Sequence, residues 1–227
     1  RSKVMQDWAS FYFPTSTNPY ILASEIEAAR MELPSSVFRQ EYLAEYIDLE
    51  GAKVKREWLR YTDKYEGKVC LGVDLAISNK ETADYTAIVA VAKQNDTYTI
   101  VDVQRGRWTF NEQKNAIIQM ASKWQAERVA VESVQYQAAM VQELIRTTNI
   151  SVQDVRVSKD KLTRFTVAEG KYEHGHIQHL SGLHPEFENE LLSFPNAEHD
   201  DLVDTFSMGI IYLEHYVKQG FEARIGR

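Results

Sequence analysis

The spacing of apolar residues changes at Val69. From there they come in short, nearly unbroken runs bounded by polar clusters, the pattern of strands covered on both faces. Residues 69–75, 85–92 and 98–104 are three such runs, and Gln94-Asn95-Asp96 between the last two is a hairpin turn. Three strands in a meander pair antiparallel. The spacing then becomes helical: behind Asn111 as N-cap, Ala116, Ile117, Met120, Ala121 and Trp124 make one stripe. A strand at 128–132 follows, then a helix with Ala138, Val141, Leu144 and Ile145, then a strand near 152–157. Strand–helix–strand–helix–strand requires parallel pairing through right-handed crossovers. Further on, Pro185 opens a helix with Phe187 and Leu191. A last helix over about 200–217 buries Leu202, Val203, Phe206, Ile210, Ile211 and Leu213.

Before Val69 the pattern is irregular. Ser24-Glu25-Ile26-Glu27 matches a capping box with Ser24 as N-cap, for a helix that stops at Leu33 before Pro34. Ser35 and Ser36 can cap a short second helix with Phe38, Tyr42 and Leu43, and 46–49 reads as a strand. No catalytic constellation stands in this stretch. Residues 1–60 are therefore expected to be a linker or appendage and 61–227 the working domain.

Carboxylates punctuate the second stretch. Asp74 ends its first strand, Glu132 ends its fourth, and Asp200, Asp201 and Asp204 open the last helix behind His199. For any one of them a turn or cap is the ordinary explanation. A carboxylate at the end of a buried strand is costly unless something pairs with it, so three acids on separate elements converge tolerably only around a cation. A three-strand antiparallel meander followed by two parallel strands is the plan of the ribonuclease H-like α/β fold, a mixed central sheet flanked by helices, with acids at these places. Two divalent cations about 3.5–4 Å apart would supply what phosphodiester hydrolysis needs, and hard oxygen ligands suit Mg²⁺ or Mn²⁺. Asp74 would bridge both ions, Glu132 hold one and a helix acid the other. Asp201 is expected as the principal helix ligand, Asp200 as a capping or supporting acid, and Asp204, one turn deeper, as a second candidate.

Weaker signals surround this set. His199 would orient a water or touch phosphate, or is a plain surface histidine. Lys159, Lys161 and Arg164 would track a DNA backbone, or form a solvated face. Asp84 fits a turn better than a ligand. His174, His176 and His179 lack the cysteine partners and helical spacing of common zinc sites.

Composition narrows the classes. The 227 residues are 44% hydrophobic and 26% charged, an ordinary globular balance. The net charge is -7, so attraction to nucleic acid must be local. No apolar run spans a bilayer, so no membrane partner is expected. The one cysteine, Cys70, permits no intrachain disulfide and reads as a small core residue. No GxxxxGK[ST] loop occurs, so this chain is not expected to be an ATPase of that type. The first residue is not Met, consistent with processing or with a piece of something longer.

Gly72-Val73-Asp74-Leu75-Ala76, Asp84-Tyr85-Thr86-Ala87, Val131-Glu132 and His199-Asp200-Asp201-Leu202-Val203-Asp204, in this order, resemble the nuclease domain of tailed-phage terminase large subunits. Asn18-Pro19-Tyr20-Ile21 and Phe38-Arg39-Gln40-Glu41-Tyr42 resemble the stretch that joins the terminase motor to its nuclease. The resemblance implies a metal-dependent endonuclease with little sequence preference, cutting double-stranded concatemeric DNA in the cytoplasm of an infected bacterium. It further implies the terminase ATPase domain, the small terminase subunit and the portal as partners. A Holliday junction resolvase of the same fold is the near alternative, and a catalytically silent docking domain the more distant one.

Overall fold

The computed structural model describes residues 11–45, 51–76, 85–132, 138–155 and 160–225, with side chains of the last helix described through Glu214. The chain forms two compact units, Arg1–Glu50 and Gly51–Arg227. The division falls before residue 60 because Val54, Trp58 and Leu59 pack into the core of the second unit.

In the first unit, α1 (Ala23–Glu32) is followed by α2 (Ser35–Glu41). The helix begins one residue before the expected N-cap Ser24, and only half of a capping box forms: Leu22 is the extended N-cap, and the Glu25 carboxylate accepts its N–H at 3.3 Å. Phe38 is buried, stacked on Tyr42 at 5.1 Å, with the Arg30 guanidinium 4.9 Å from its ring. The strand expected at 46–49 lies outside the described residues.

The second unit contains β1 (Tyr61–Thr62), β2 (Lys68–Asp74), β3 (Thr86–Gln94), β4 (Thr97–Gly106), α3 (Phe110–Lys123), β5 (Arg128–Glu132) and α4 (Ala138–Thr147). β6 (Val152–Val155), α5 (Lys161–Glu173), β7 (Ile177–Leu180), α6 (Pro185–Ser193) and α7 (Asp201–Ile225) complete it. One sheet runs β1-β7-β4-β3-β2-β5-β6. β3 is antiparallel to both neighbours and the other pairings are parallel, so β2, β4, β5 and β6 end at one edge. This is the expected mixed ribonuclease H-like sheet, extended by two short strands beside the meander.

Alternation along the strands fills two apolar layers. Cys70, Ala87, Val89 and Val91 face Phe165, Phe187, Phe206 and Ile210 from α5, α6 and α7. Leu71, Val73, Ile88 and Ala90 face Ile117, Met120, Met140 and Leu144 from α3 and α4. Ile145, one of the apolar residues of α4, is 51% exposed. The N-cap of α3 is Thr109, not Asn111: the Thr109 N–H donates to Glu112 at 2.7 Å, and Glu112 N–H returns to the threonine hydroxyl.

The layer under α7 is thin at one point. A Cβ built on Gly72 of β2 would lie 2.8 Å from the Thr205 carbonyl oxygen and 3.5 Å from Gly209 Cα. Glycine at 72 therefore lets the helix backbone settle directly on the central strand, close to where that strand ends in Asp74.

Candidate active site

Val73 pairs in register with Val131 of β5. Asp74 and Glu132, next along each chain, thus end adjacent parallel strands about 4.8 Å apart. The Gly72 contact sets the first turn of α7 beside them, bringing Asp201 and Asp204 to the same end of the sheet. The turn is anchored twice. Asp204 N–H donates to the Asp200 carbonyl at 2.8 Å, and Leu202 N–H donates to Glu190 of α6 at 3.1 Å.

The electrostatics record the crowding. Burial pushes the Asp74 carboxyl up to about 7, and the charges of Glu132, Asp204 and Asp201 add to the rise. Burial also raises Glu132, against the pull of Arg164. Asp201 is raised by burial and by Asp200, and Asp204 by burial in spite of Arg164 and Lys161. Like charges brought together out of water resist ionisation unless a cation joins them.

Two cations of α5 already reach into this group. Asp160 caps the helix, accepting from the Thr163 N–H at 3.0 Å and from the Thr163 hydroxyl at 2.6 Å. One turn in, Arg164 donates to Asp204 at 2.7 Å and lies 3.5 Å from Glu132. Its side chain is 7% exposed, which corrects the expectation that it lines a DNA-tracking surface. Burial works against the charge of Lys161, but Asp200 and Asp204 hold it protonated above the usual range. Its Nζ is 2.9 Å from Asp200 and 3.2 Å from Asp204. Thus Asp204 is neutralised from within. Among the described residues, the carboxylates of Asp74 and Asp201 make no hydrogen bond or ion pair, and no three His, Cys, Asp or Glu side chains converge tightly enough to hold a metal as they stand.

The donors nevertheless fit a divalent cation. Asp74, Glu132 and Asp201 offer only hard carboxylate oxygens, and the perturbation of Asp74 is what a counter-ion would relieve. Asp200 and Asp204 stand in support, tied to Lys161.

His199 is half-buried and meets the Tyr85 ring edge-to-face at 5.2 Å. The guanidinium carbons of Arg105 and Arg107 lie 4.8 Å and 4.0 Å from the same ring. Neither arginine was expected from the sequence, nor was Glu190, which pairs with Arg105. The available signal for Glu190 was its i,i+4 spacing from Glu186, which also reaches Arg105, at 3.1 Å. Asp84 and Lys159 lie outside the described residues. His179 is fully buried in the sheet at β7, between Tyr172 and Glu188, while His174 and His176 lie in the turn before that strand.

Residues 71–213 match the family model described as the terminase RNaseH-like domain. No curated protein matches the chain. Among solved structures, it is similar to a large terminase from a thermophilic bacteriophage, at 12% identity and a TM-score of 0.65. That alignment covers 86% of this chain and 52% of the other, so this chain spans about half the length of that phage protein. It is also similar to the large terminase nuclease of thermophilic phage G20c with bound magnesium, at 13% identity and a TM-score of 0.53, over 71% of this chain and 97% of that one. The zinc-bound form of the G20c nuclease matches at 16% identity and a TM-score of 0.51, over 67% and 93%. At these identities the structural likeness speaks for the fold. The family match extends from within β2 into α7 and takes in the strand ends and helix start that carry all the acids, and on that match the chain belongs to the terminase RNaseH-like domain family.

Proposed function

We propose that this chain is a metal-dependent endonuclease that cuts double-stranded concatemeric viral DNA, with little sequence preference, during genome packaging in an infected bacterial host. The observation that carries this reading is the placement of Asp74, Glu132 and Asp201, from two strand ends and a helix start, at one end of the sheet, with Asp74 raised by its burial and its neighbours' charges. The family supplies the nuclease context, and the magnesium-bound G20c nuclease supports a divalent cation. Asp74, Glu132 and Asp201 would hold Mg²⁺ or Mn²⁺, a pair of ions in the full reading, with Asp200 and Asp204 in support. When bound, such ions make a nucleophilic water available near neutral pH and stabilise the leaving oxygen.

The protein's own groups prepare the ground for that chemistry. Arg164 holds Glu132 and Asp204 at fixed positions. Lys161 bridges Asp200 and Asp204. The ATPase domain, the small terminase subunit and the portal are the partners proposed for the whole machine. The stretch resembling a motor linker and the longer large terminase of the thermophilic phage support the first of these.

The test is Asp74→Asn. Plasmid nicking in Mg²⁺ or Mn²⁺ is expected to fall about 100-fold or more, about 2.7 kcal/mol of transition-state stabilisation. Added Mg²⁺ is expected to raise the melting temperature of the wild type but not of the variant. Wild-type nicking by the variant would sink the assignment. Strong preference for a four-way junction over plain duplex would move the reading to a resolvase.

A further inference from the structure

Asp74 poses a problem of aim. Among the described residues its carboxylate makes no hydrogen bond or ion pair, only the unfavourable approach of other acids and the distant pull of Lys161. Its direction is therefore left to its backbone, and the sheet holds that backbone only as far as Asp74 itself. On one side of β2 the pairing ends at Asp74 with Ala87, on the other at Val73 with Val131. A ligand has to be placed within about 0.5 Å to be productive, so the chain past Asp74 needs a second hold.

That hold is at Ala76, and it takes both backbone groups. Ala76 N–H donates to the Thr86 hydroxyl at 3.0 Å, and the Ala76 carbonyl accepts from Gln113 Nε2 at 3.0 Å. Ala76, Thr86 and Gln113 are all buried. Thr86 opens β3, and Gln113 stands one turn into α3. Gln113 Nε2 also donates to the Trp108 carbonyl at 3.0 Å, just beyond β4. Both partners are carbonyls, which only accept, so the amide turns its nitrogen to them and uses both of its N–H groups. A buried amide is costly without partners; this one ties the chain leaving β2 to the chain leaving β4. It does so without touching the acids. Val73 faces the layer of α3 and α4, and successive residues of a strand face opposite sides, so Asp74 looks toward α7 while Gln113 works from the other face.

We propose that Gln113, together with Thr86, is a positioning residue for Asp74: it fixes the backbone at Ala76 and, through it, the direction in which the carboxylate meets a divalent cation. This rests on the nuclease reading above and names what aims its central ligand. At about 3.3 Å per extended residue, Ala76 lies about 7 Å beyond Asp74. Fixing both ends of so short a span, by the sheet at one and by two side chains at the other, leaves the torsions between them little freedom. With either side chain gone, the cation has to order the carboxylate as it binds, and affinity falls by that cost. Groups that orient a metal ligand without touching the metal typically matter about 10- to 100-fold.

The experiment uses the full 227-residue chain and Mn²⁺ alone, with free Mn²⁺ read by electron paramagnetic resonance so that affinity is measured without DNA or turnover. Thr86→Val keeps the shape and loses the acceptor, and is expected to weaken Mn²⁺ binding about 10-fold. Thr86→Ser keeps the hydroxyl and is expected to bind like the wild type. Gln113→Met keeps the length and loses both donors, and is expected to cost about 10-fold or more. Without metal, amide hydrogen exchange at Ala76 is expected to quicken in Thr86→Val and Gln113→Met. Met120→Ala, which empties a buried position on the same helix, is expected to lower the melting temperature and leave Mn²⁺ affinity alone. Wild-type Mn²⁺ affinity in both Thr86→Val and Gln113→Met overturns the proposal, as does an equal loss in Met120→Ala, which would make the effect one of general stability. A wild type that binds no Mn²⁺ overturns it together with the metal site. The nuclease reading fails separately: a wild type that binds Mn²⁺ in this clamp-dependent way but never cuts duplex would leave the positioning role standing and remove the enzyme.

Discussion

His179 shows how little a residue's type says about its work. Its ring is fully buried, with Nε2 2.8 Å from the Tyr172 hydroxyl and Nδ1 2.8 Å from Glu188, which also accepts from the Tyr61 hydroxyl at 3.0 Å. Burial lowers its pKa, more than the Glu188 carboxylate raises it. A histidine whose folded value lies below its unfolded one, about 6.5, contributes stability above that value. The contribution is lost as the pH falls through the folded value, because the unfolded chain takes the proton first. The melting temperature of the wild type, minus that of His179→Gln, is therefore expected to shrink as pH drops from about 7.5 to about 5.5. A difference that stays flat or grows would show that the imidazolium is tolerated in place. The sequence offered three histidines close together, and their spacing and lack of cysteine partners argued against zinc. It did not show that one was a core residue, because burial is decided by β7 pairing with β4, far away along the chain. Arg164 was misplaced for the same reason: a basic residue on a helix looks solvated until α7 closes over it.

At the scale of elements, unbroken apolar runs and helical stripes predicted the meander, both crossovers and the last helix. The outermost strand escaped, since the two residues of β1 carry too little pattern. Caps were off by two residues where an extended Leu22 or Thr109, not the nearest polar residue, made the boundary. The strand-to-helix contact at Gly72 was invisible, because no local pattern distinguishes a glycine under a helix from one in a strand. Gly72→Ala would press on the Thr205 carbonyl at 2.8 Å and is expected to cost about 1–3 kcal/mol. It is also expected to lower nicking, because α7 must lift away from Asp74. Gly209→Ala meets nothing nearer than Gly72 Cα at 3.8 Å, an ordinary contact. It should be tolerated, since alanine favours a helix by about 1 kcal/mol over glycine. Chemical denaturation of both variants checks the asymmetry, and equal effects would remove the close approach as an explanation.

For the whole molecule, the acidic balance sets how DNA is held. With a charge of -7 and its nearest basic side chains engaged by acids, the chain is expected to make few phosphate contacts. Each contributes about 0.9 to the salt slope, so a slope no steeper than about -3 is expected between about 50 mM and 200 mM salt. A slope near about -8, read by anisotropy in the same range, would require a broad basic surface instead. On the proposed function, retention on DNA would then fall to the partners proposed above. The edge of the sheet adds a consequence in time. β1 pairs with β7, and Asp74 and Glu132 wait for Asp201, so both the outer strand and the acid group join an early part of the chain to a late one. A ribosome releases those late residues last, and a chain still in synthesis carries its carboxylates apart. On the proposed function, no DNA would be cut until the final helix has docked.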